Sequence, residues 1–273
     1  YLKIILDQIF GVENFQDEII WKRTSAHSDP KRWGRVHDVL LFYTKSDKYL
    51  WNPVYQSYDE KYLQTKYRYE DQRGRYRLGD LTAAGTTQGG SSKPWRGFDP
   101  TKIGRHWAVS KSIVELLVGS EKASQMNTQE KLDLLDEHKY IYWTPRGKGG
   151  GVGFPQYKRY LDKGVPIQDV ITDISPINSQ AKERIGYQTQ KPESLLARII
   201  NASSNEGDVV LDAFCGCGTT ITVAQRLKRR WIGIDITHLA ISIIKYRLQS
   251  AFGDEVTYEI IGEPKDEASA RAL

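Results

Sequence analysis

Asp212-Ala-Phe-Cys-Gly216-Cys-Gly218-Thr-Thr is the stretch whose residue types could do chemistry. It follows an apolar run, Val209-Val-Leu, and precedes a helical pattern from Thr219 to Leu227, so it reads as a strand-to-helix turn. Glycines at 216 and 218 remove side chains and permit backbone conformations closed to other residues, which lets such a turn pass close to a ligand. The helix that opens there directs unpaired N–H groups at the same point. Asp235 ends the next apolar run, 19 residues after Gly216. An acid in that place can accept the hydroxyl protons of a ribose.

Two nucleotide-like ligands compete for such a turn. The dinucleotide fingerprint G-x-G-x-x-G needs a small residue at 221, where Ile221 stands. Asp212, placed before the glycines, also argues against a diphosphate, which its carboxylate would repel. The same carboxylate attracts a sulfonium or an α-amino group. The expected ligand is adenosine-like at one end and cationic at the other: S-adenosylmethionine fits, and NAD does not.

The elements that must position this turn read as an α/β protein. Around it, Glu193 to Ala202 is an amphipathic helix, Val209 to Asp212 a strand and Thr219 to Leu227 a helix. Trp231 to Asp235, Leu239 to Gln249 and Val256 to Ile261 continue as strand, helix and strand. Strands alternating with helices imply a parallel sheet with right-handed crossovers. Near the start, Leu2 to Phe10 has a helical period with Gly11 as its C-cap. Glu18 to Trp21 and Asp38 to Tyr43 read as buried strands. Between about Trp51 and Gly164 periodicity is weak, apart from helical stretches at Val109 to Val118 and Thr128 to Glu137, and the segment reads as an irregular insertion.

Asp-x-Phe-x-Gly-x-Gly-Thr-Thr, preceded by Thr189-Gln190-Lys191-Pro192 and followed by Trp-Ile-Gly-Ile-Asp, resembles the β-class N6-adenine/N4-cytosine DNA methyltransferases. The resemblance is dense over 186–250 and reaches residues 1–50. It implies a Rossmann-like S-adenosylmethionine-dependent methyltransferase sheet with an irregular target-recognition insertion. Residues 1–50 would be part of a catalytic subdomain, 51–165 the insertion and 166–273 the cofactor-binding subdomain. It further implies that Asp212, Phe214, Gly216 and Gly218 line the methionine side of the cofactor and that Asp235 holds its ribose. Gln190, Lys191 and Pro192 would lie beside the methionine carboxylate, and Thr219, opening the helix, completes the set. The implied reaction moves a methyl group to an exocyclic amino nitrogen of adenine or cytosine in double-stranded DNA, within restriction–modification.

Amino methylation is demanding because the nitrogen's lone pair is delocalised into the base. The family meets this with an Asp/Asn/Ser-Pro-Pro-aromatic tetrapeptide that accepts the amino hydrogens and stacks on a flipped-out base. This chain has ten prolines and no Pro-Pro pair. Asn52-Pro53-Val54-Tyr55 keeps the acceptor and the aromatic, which makes Asn52 and Tyr55 the weak catalytic candidates. Ser175-Pro176-Ile177-Asn178 lacks the aromatic as well. Tyr1 falls inside a helical pattern, so the tetrapeptide is expected upstream of it, and the 273 residues are expected to bind cofactor without methylating. Another helical stretch is expected to begin at Gly262.

Net charge is +5, and the excess is local: residues 61–111 carry eleven Lys/Arg against four Asp/Glu, interleaved with seven aromatic residues. A basic, aromatic segment suggests a polyanion. Arg73, Arg75, Arg77, Arg96 and Arg105, with Lys148 in the Gly147–Gly153 loop, are the candidate DNA contacts. Cys215 and Cys217 form a lone C-x-C, read as loop filling, and the five histidines are not spaced for a metal. Two cysteines make no disulfide framework, and no apolar run is long enough to span a membrane. The expected setting is the cytoplasm of a prokaryotic cell or phage-infected host, with a homodimer among the compatible assemblies. The competing readings are a non-catalytic DNA-binding remnant, a nicotinamide-dependent oxidoreductase with a variant glycine turn, and an RNA methyltransferase.

Overall fold

The computed structural model describes residues 1–24, 31–145 and 152–262. Lys148, nearly all of the 147–153 loop, His27 and the helical stretch expected after Gly262 fall outside them. The chain divides into two compact units, Tyr1–Gln56 with Pro166–Leu273, and Ser57–Val165. Among the described residues no helix is long and apolar enough to cross a membrane.

The first unit opens with α1 (Leu2–Phe10), closed by Gly11 at φ 90°, whose N–H donates to the Asp7 carbonyl. Strands β1 (Phe15–Lys22) and β2 (His37–Tyr43) follow, then the short β3 (Tyr55–Gln56). β1 and β2 run antiparallel with Ile19 opposite Leu40, and a bulge between Phe15 and Asp17 shifts the register.

The second unit holds α2 (Glu60–Lys66), β4 (Tyr69–Asp71), β5 (Gly74–Asp80), β6 (Thr82–Ala84) and β7 (Arg105–Trp107). Helices α3 (Lys111–Val118), α4 (Ser120–Gln125) and α5 (Thr128–Glu137) come next, then β8 (Ile141–Pro145) and β9 (Val152–Tyr160). Its weak sequence periodicity conceals an antiparallel sheet in the order β4-β5-β9-β8. Leu81, Trp95, Trp107, Val114, Leu132, Leu135 and Ile141 form its core. Aromatic side chains supply much of that core, and their polar tips are tied down: the Trp95 indole N–H donates to Asp133 and that of Trp143 to Asp136. Helix α5 starts with a reciprocal cap, Asn127 accepting from the Glu130 N–H and Glu130 accepting from the Asn127 N–H.

The chain re-enters the first unit through β10 (Val165–Pro166) and β11 (Val170–Ile171), which pairs parallel to β1. There follow α6 (Glu193–Ser203), β12 (Val209–Asp212), α7 (Thr219–Arg226), β13 (Arg230–Gly233) and α8 (His238–Phe252). β12 and β13 are parallel, from Val209 opposite Arg230 to Asp212 opposite Gly233, joined by the α7 crossover as the alternating pattern requires. Ile200, Val223 and Ala224 pack with Val210 and Trp231, so α6 and α7 cover one face of the pair. The third expected strand, Val256 to Ile261, is absent: the segment has no ladder partner among the described residues and runs as coil. Alternating apolar residues make a strand only where a neighbour supplies hydrogen bonds.

Candidate functional site

The glycine turn is built by the ends of β12 and β13. Asp212 closes β12; its carbonyl accepts from the Ile234 N–H at 2.9 Å, and the Ile234 carbonyl accepts from the Cys215 N–H at 3.0 Å. The turn is thus stitched to both strands before α7 begins. Gly216 has φ 50° and Gly218 φ 74°, left-handed values that a side chain disfavours. Space is equally decisive at 218, where a Cβ would lie 2.6 Å from Cγ1 of Ile244 on α8. At 216 a Cβ would meet the Tyr187 ring at 3.3 Å.

Two carboxylates flank the turn. The Asp212 Oδ1 accepts the Phe214 N–H at 3.1 Å. The Asp235 Oδ2 accepts the Gly216 N–H at 2.9 Å, while its Oδ1 accepts the Thr237 N–H and hydroxyl at 2.9 and 2.8 Å. Burial pushes the Asp235 carboxyl up, but the hydrogen bonds from Thr237, Gly216 and Ile236 outweigh it and hold it below the ordinary carboxylate range. Asp235 is therefore an anchored anion at neutral pH. Thr237 also accepts the Ala240 N–H at 3.2 Å and so caps α8, which makes the acid and the next helix one local structure.

The cysteines fill the turn. Both are free and buried. Burial, followed by the charges of Asp212 and Asp235, pushes the Cys215 thiol up to about 11, so it stays protonated. Phe214 stands 92% exposed beside the turn. Thr219 is buried, its hydroxyl accepting from Arg247 at 3.1 Å.

The Gln190–Pro192 segment reaches the turn indirectly. The Gln190 side chain clasps its own loop, accepting the Ile185 N–H at 3.0 Å and donating to the Glu183 carbonyl at 2.5 Å. Lys191 pairs with Asp38 of β2 at 3.6 Å, and Pro192 occupies the N-cap position of α6. What lies against Gly216 from this loop is Tyr187, a residue that spacing did not single out. Arg247 and Glu193 were missed for the same reason. Arg247, 7% exposed on α8, donates to the Cys217 carbonyl at 3.1 Å and to Glu193 at 2.9 Å. Glu193 also accepts from Arg226 at 2.5 Å, and its N–H donates to Glu183 at 2.9 Å. One polar chain thus runs from the turn to the 183–193 loop. A buried arginine on an otherwise apolar helical face was the only sequence signal for it.

The remaining candidates lie elsewhere. Asn52 clasps the C-terminal end of α6, its amide donating to the carbonyls of Asn201 and Ser204 at 3.0 and 2.9 Å. Tyr55 lies on β3. In the second unit, Arg75 donates to the Tyr67 and Leu63 carbonyls, and Arg73 lies 4.6 Å over the Tyr140 ring. Arg96 pairs with Asp133 and Asp136, and Arg105 with Asp80. Only Arg77 among these arginines has a guanidinium without a hydrogen bond, ion pair or ring contact among the described residues, and its Nε is buried without a partner.

Known proteins match this chain along most of its length. A family model for DNA methylases of the N6/N4 type matches residues 1–246. The type II methyltransferase M.EcaI of Enterobacter cloacae is 32% identical over 261 residues, 93% of this chain and 52% of that protein. M.BamHI of Bacillus amyloliquefaciens is 39% identical over 40% of this chain and 26% of its own length. The chain thus spans about half the length of M.EcaI or less of its relatives. A crystal structure of an M1.HpyAVI–SAM complex overlaps 42% of this chain and 66% of its own, with 23% identity and a TM-score of 0.28, too slight a likeness to bear on the fold or a ligand. The family match runs without a break through β1 and β2, the second unit and the glycine turn, and the chain belongs to the N6/N4 DNA methylase family.

Proposed function

We propose that this chain is the cofactor-binding part of a site-specific DNA methyltransferase. Its reaction moves a methyl group from S-adenosylmethionine to the N6 of adenine or the N4 of cytosine in duplex DNA. The observation that carries the reading is the bond from the Gly216 N–H to Asp235 across a turn that also bears Asp212. Two anchored carboxylates oppose a diphosphate and favour a ligand with a ribose and a cationic centre. The positive φ at Gly216 and Gly218 leaves that approach free of side chains.

When bound, the cofactor supplies an electrophilic methyl on a sulfonium whose charge is lost as the carbon–sulfur bond breaks. The chain's own contribution is placement. Asp235 holds the ribose, Asp212 faces the cationic end, and exposed Phe214 offers a ring beside it. Holding both partners in line supplies much of the acceleration in such transfers. The Ser57–Val165 unit, with its basic surface, is read as the part that meets DNA, and a homodimer remains among the assemblies to be measured by sedimentation.

Isothermal titration with S-adenosylhomocysteine and, separately, NADH tests the reading. Binding of the first and not the second is expected. Asp235→Ala and Gly216→Val should each abolish it while the fold, followed by circular dichroism, persists. Binding of NADH alone would overturn the assignment in favour of an oxidoreductase. Incubation with labelled S-adenosylmethionine and mixed-sequence duplex should leave the DNA unlabelled; robust transfer would place the base-holding side within these residues and bring Asn52 and Tyr55 back as candidates.

A further inference from the structure

The Ser57–Val165 unit contains a cavity of about 380 Å³ lined by Tyr62 and Lys66 of α2, Arg68 just before β4, Tyr69 at its start, and Arg77 of β5. No carboxylate is among its lining residues. Lys66, Arg68 and Arg77 form no ion pair or side-chain hydrogen bond among the described residues, unlike Arg75, Arg96 and Arg105 of the same unit. The Arg77 Nε is removed from solvent with nothing to donate to. Leaving a buried donor of a charged group unsatisfied is costly, so the Arg77 Nε calls for an acceptor that the chain itself does not supply.

A separate observation comes from strand register. Arg77 lies directly opposite Arg159 on β9. The Arg159 side chain crosses β5 at Gly79, where a Cβ would sit 2.7 Å from its Nε. Like charges facing each other across a ladder are destabilising unless an anion lies between or beside them. An absent side chain at 79 and two opposed guanidinium groups concentrate positive charge on one patch of sheet.

We infer that this cavity is an anion site that takes a backbone phosphate of duplex DNA, with Lys66, Arg68 and Arg77 as its contacts. The tyrosine rings of Tyr62 and Tyr69 wall the site beside the sugar. Arginine's planar fork suits a phosphate, and Lys66 adds a point charge. The contact is independent of base sequence, because phosphates position a protein on the duplex while base edges specify it. This inference rests on the DNA reading and sharpens it, since most of the arginines nominated from sequence are consumed internally.

The test is a salt series of binding to a mixed-sequence duplex, comparing the unaltered chain with a Lys66→Ser/Arg68→Ser double variant and with Arg77→Leu. The double variant should bind about tenfold more weakly, and its log–log salt slope should be shallower by about 1, as for one phosphate no longer neutralised. Affinity for S-adenosylhomocysteine and the melting temperature, both unchanged, show that the variants fold. Unchanged affinity and slope in both variants, with the unaltered chain binding duplex, overturn the cavity and leave the DNA reading standing. No affinity of the unaltered chain for duplex even at low salt overturns both. Binding of inorganic phosphate that the substitutions abolish, without any change in duplex affinity, identifies a small-anion site and also overturns the inference.

Discussion

Gly218 shows how narrowly a single residue can be determined. Its φ of 74° and the 2.6 Å approach of a built Cβ to Ile244 act together. Gly218→Ala should therefore cost about 2–4 kcal/mol, the left-handed penalty added to displacement of a packed isoleucine, seen as a lower urea midpoint. An alanine there with unchanged midpoint would mean that α8 yields freely. Gly216 faces only an aromatic ring edge and is the milder constraint. Asp235 works at the same scale for a different reason: its hydrogen bonds from Gly216 and Thr237 keep it ionised and make it part of the turn it serves.

Between elements, the tie is Arg247. Its guanidinium reaches from α8 to the Cys217 carbonyl, the Thr219 hydroxyl and Glu193 at the start of α6. Arg247→Met removes a buried charge partner and frees the turn that precedes α7. We expect a loss of about 2–4 kcal/mol in stability, less than a fully isolated charge would cost because Arg226 still holds Glu193. Titration of the same variant should also show weaker binding of S-adenosylhomocysteine, since the turn loses its register against α6. Arg247→Lys should recover only part of both, because a single ammonium cannot serve three acceptors arranged for a planar fork. Full recovery by lysine would reduce Arg247 to a simple charge. Opposite α7, meanwhile, β12 and β13 leave Leu211 60% and Ile232 52% exposed, although parallel strands are ordinarily covered on both faces.

For the molecule as a whole, acid should weaken the Ser57–Val165 unit through one carboxylate. In the Ser57–Val165 unit, burial pushes the Asp71 carboxyl up, but Lys158, Tyr160 and the Arg73 N–H outweigh it and bring it down to about 2. A carboxylate depressed in the folded state stabilises above its ordinary value, near 4, and loses that contribution as pH falls toward about 2. Urea melts should thus lose stability across this window, and Asp71→Asn should flatten the dependence while lowering stability at neutral pH. An unchanged acid profile in Asp71→Asn would show that the contact with Lys158 contributes nothing. By fluorescence, Trp95, Trp107 and Trp143 report on that unit's core, and Trp21, Trp33, Trp51 and Trp231 lie in the other unit, so the Asp71→Asn comparison isolates the contribution.

The sequence alone determined the local structures whose causes are local. A β-α-β pattern with glycines at 216 and 218 could become only a tight strand-to-helix turn, and α5, β12 and α1 lie where their periodicity and caps place them. Tertiary structure decided what depends on partners distant in sequence. Val256 to Ile261 has a strand's residues and no neighbouring ladder among the described residues, so it is coil. Arg73, Arg75, Arg77, Arg96 and Arg105 are indistinguishable as letters. Only the fold shows that four have their charge or donors satisfied at home, while Arg77 faces Arg159 and lines a cavity of about 380 Å³. The tie of Arg247 to residues 28 to 54 positions away is likewise invisible in a linear pattern. Backbone conformation follows from neighbours along the chain, but the fate of a charge follows from whatever the fold brings beside it.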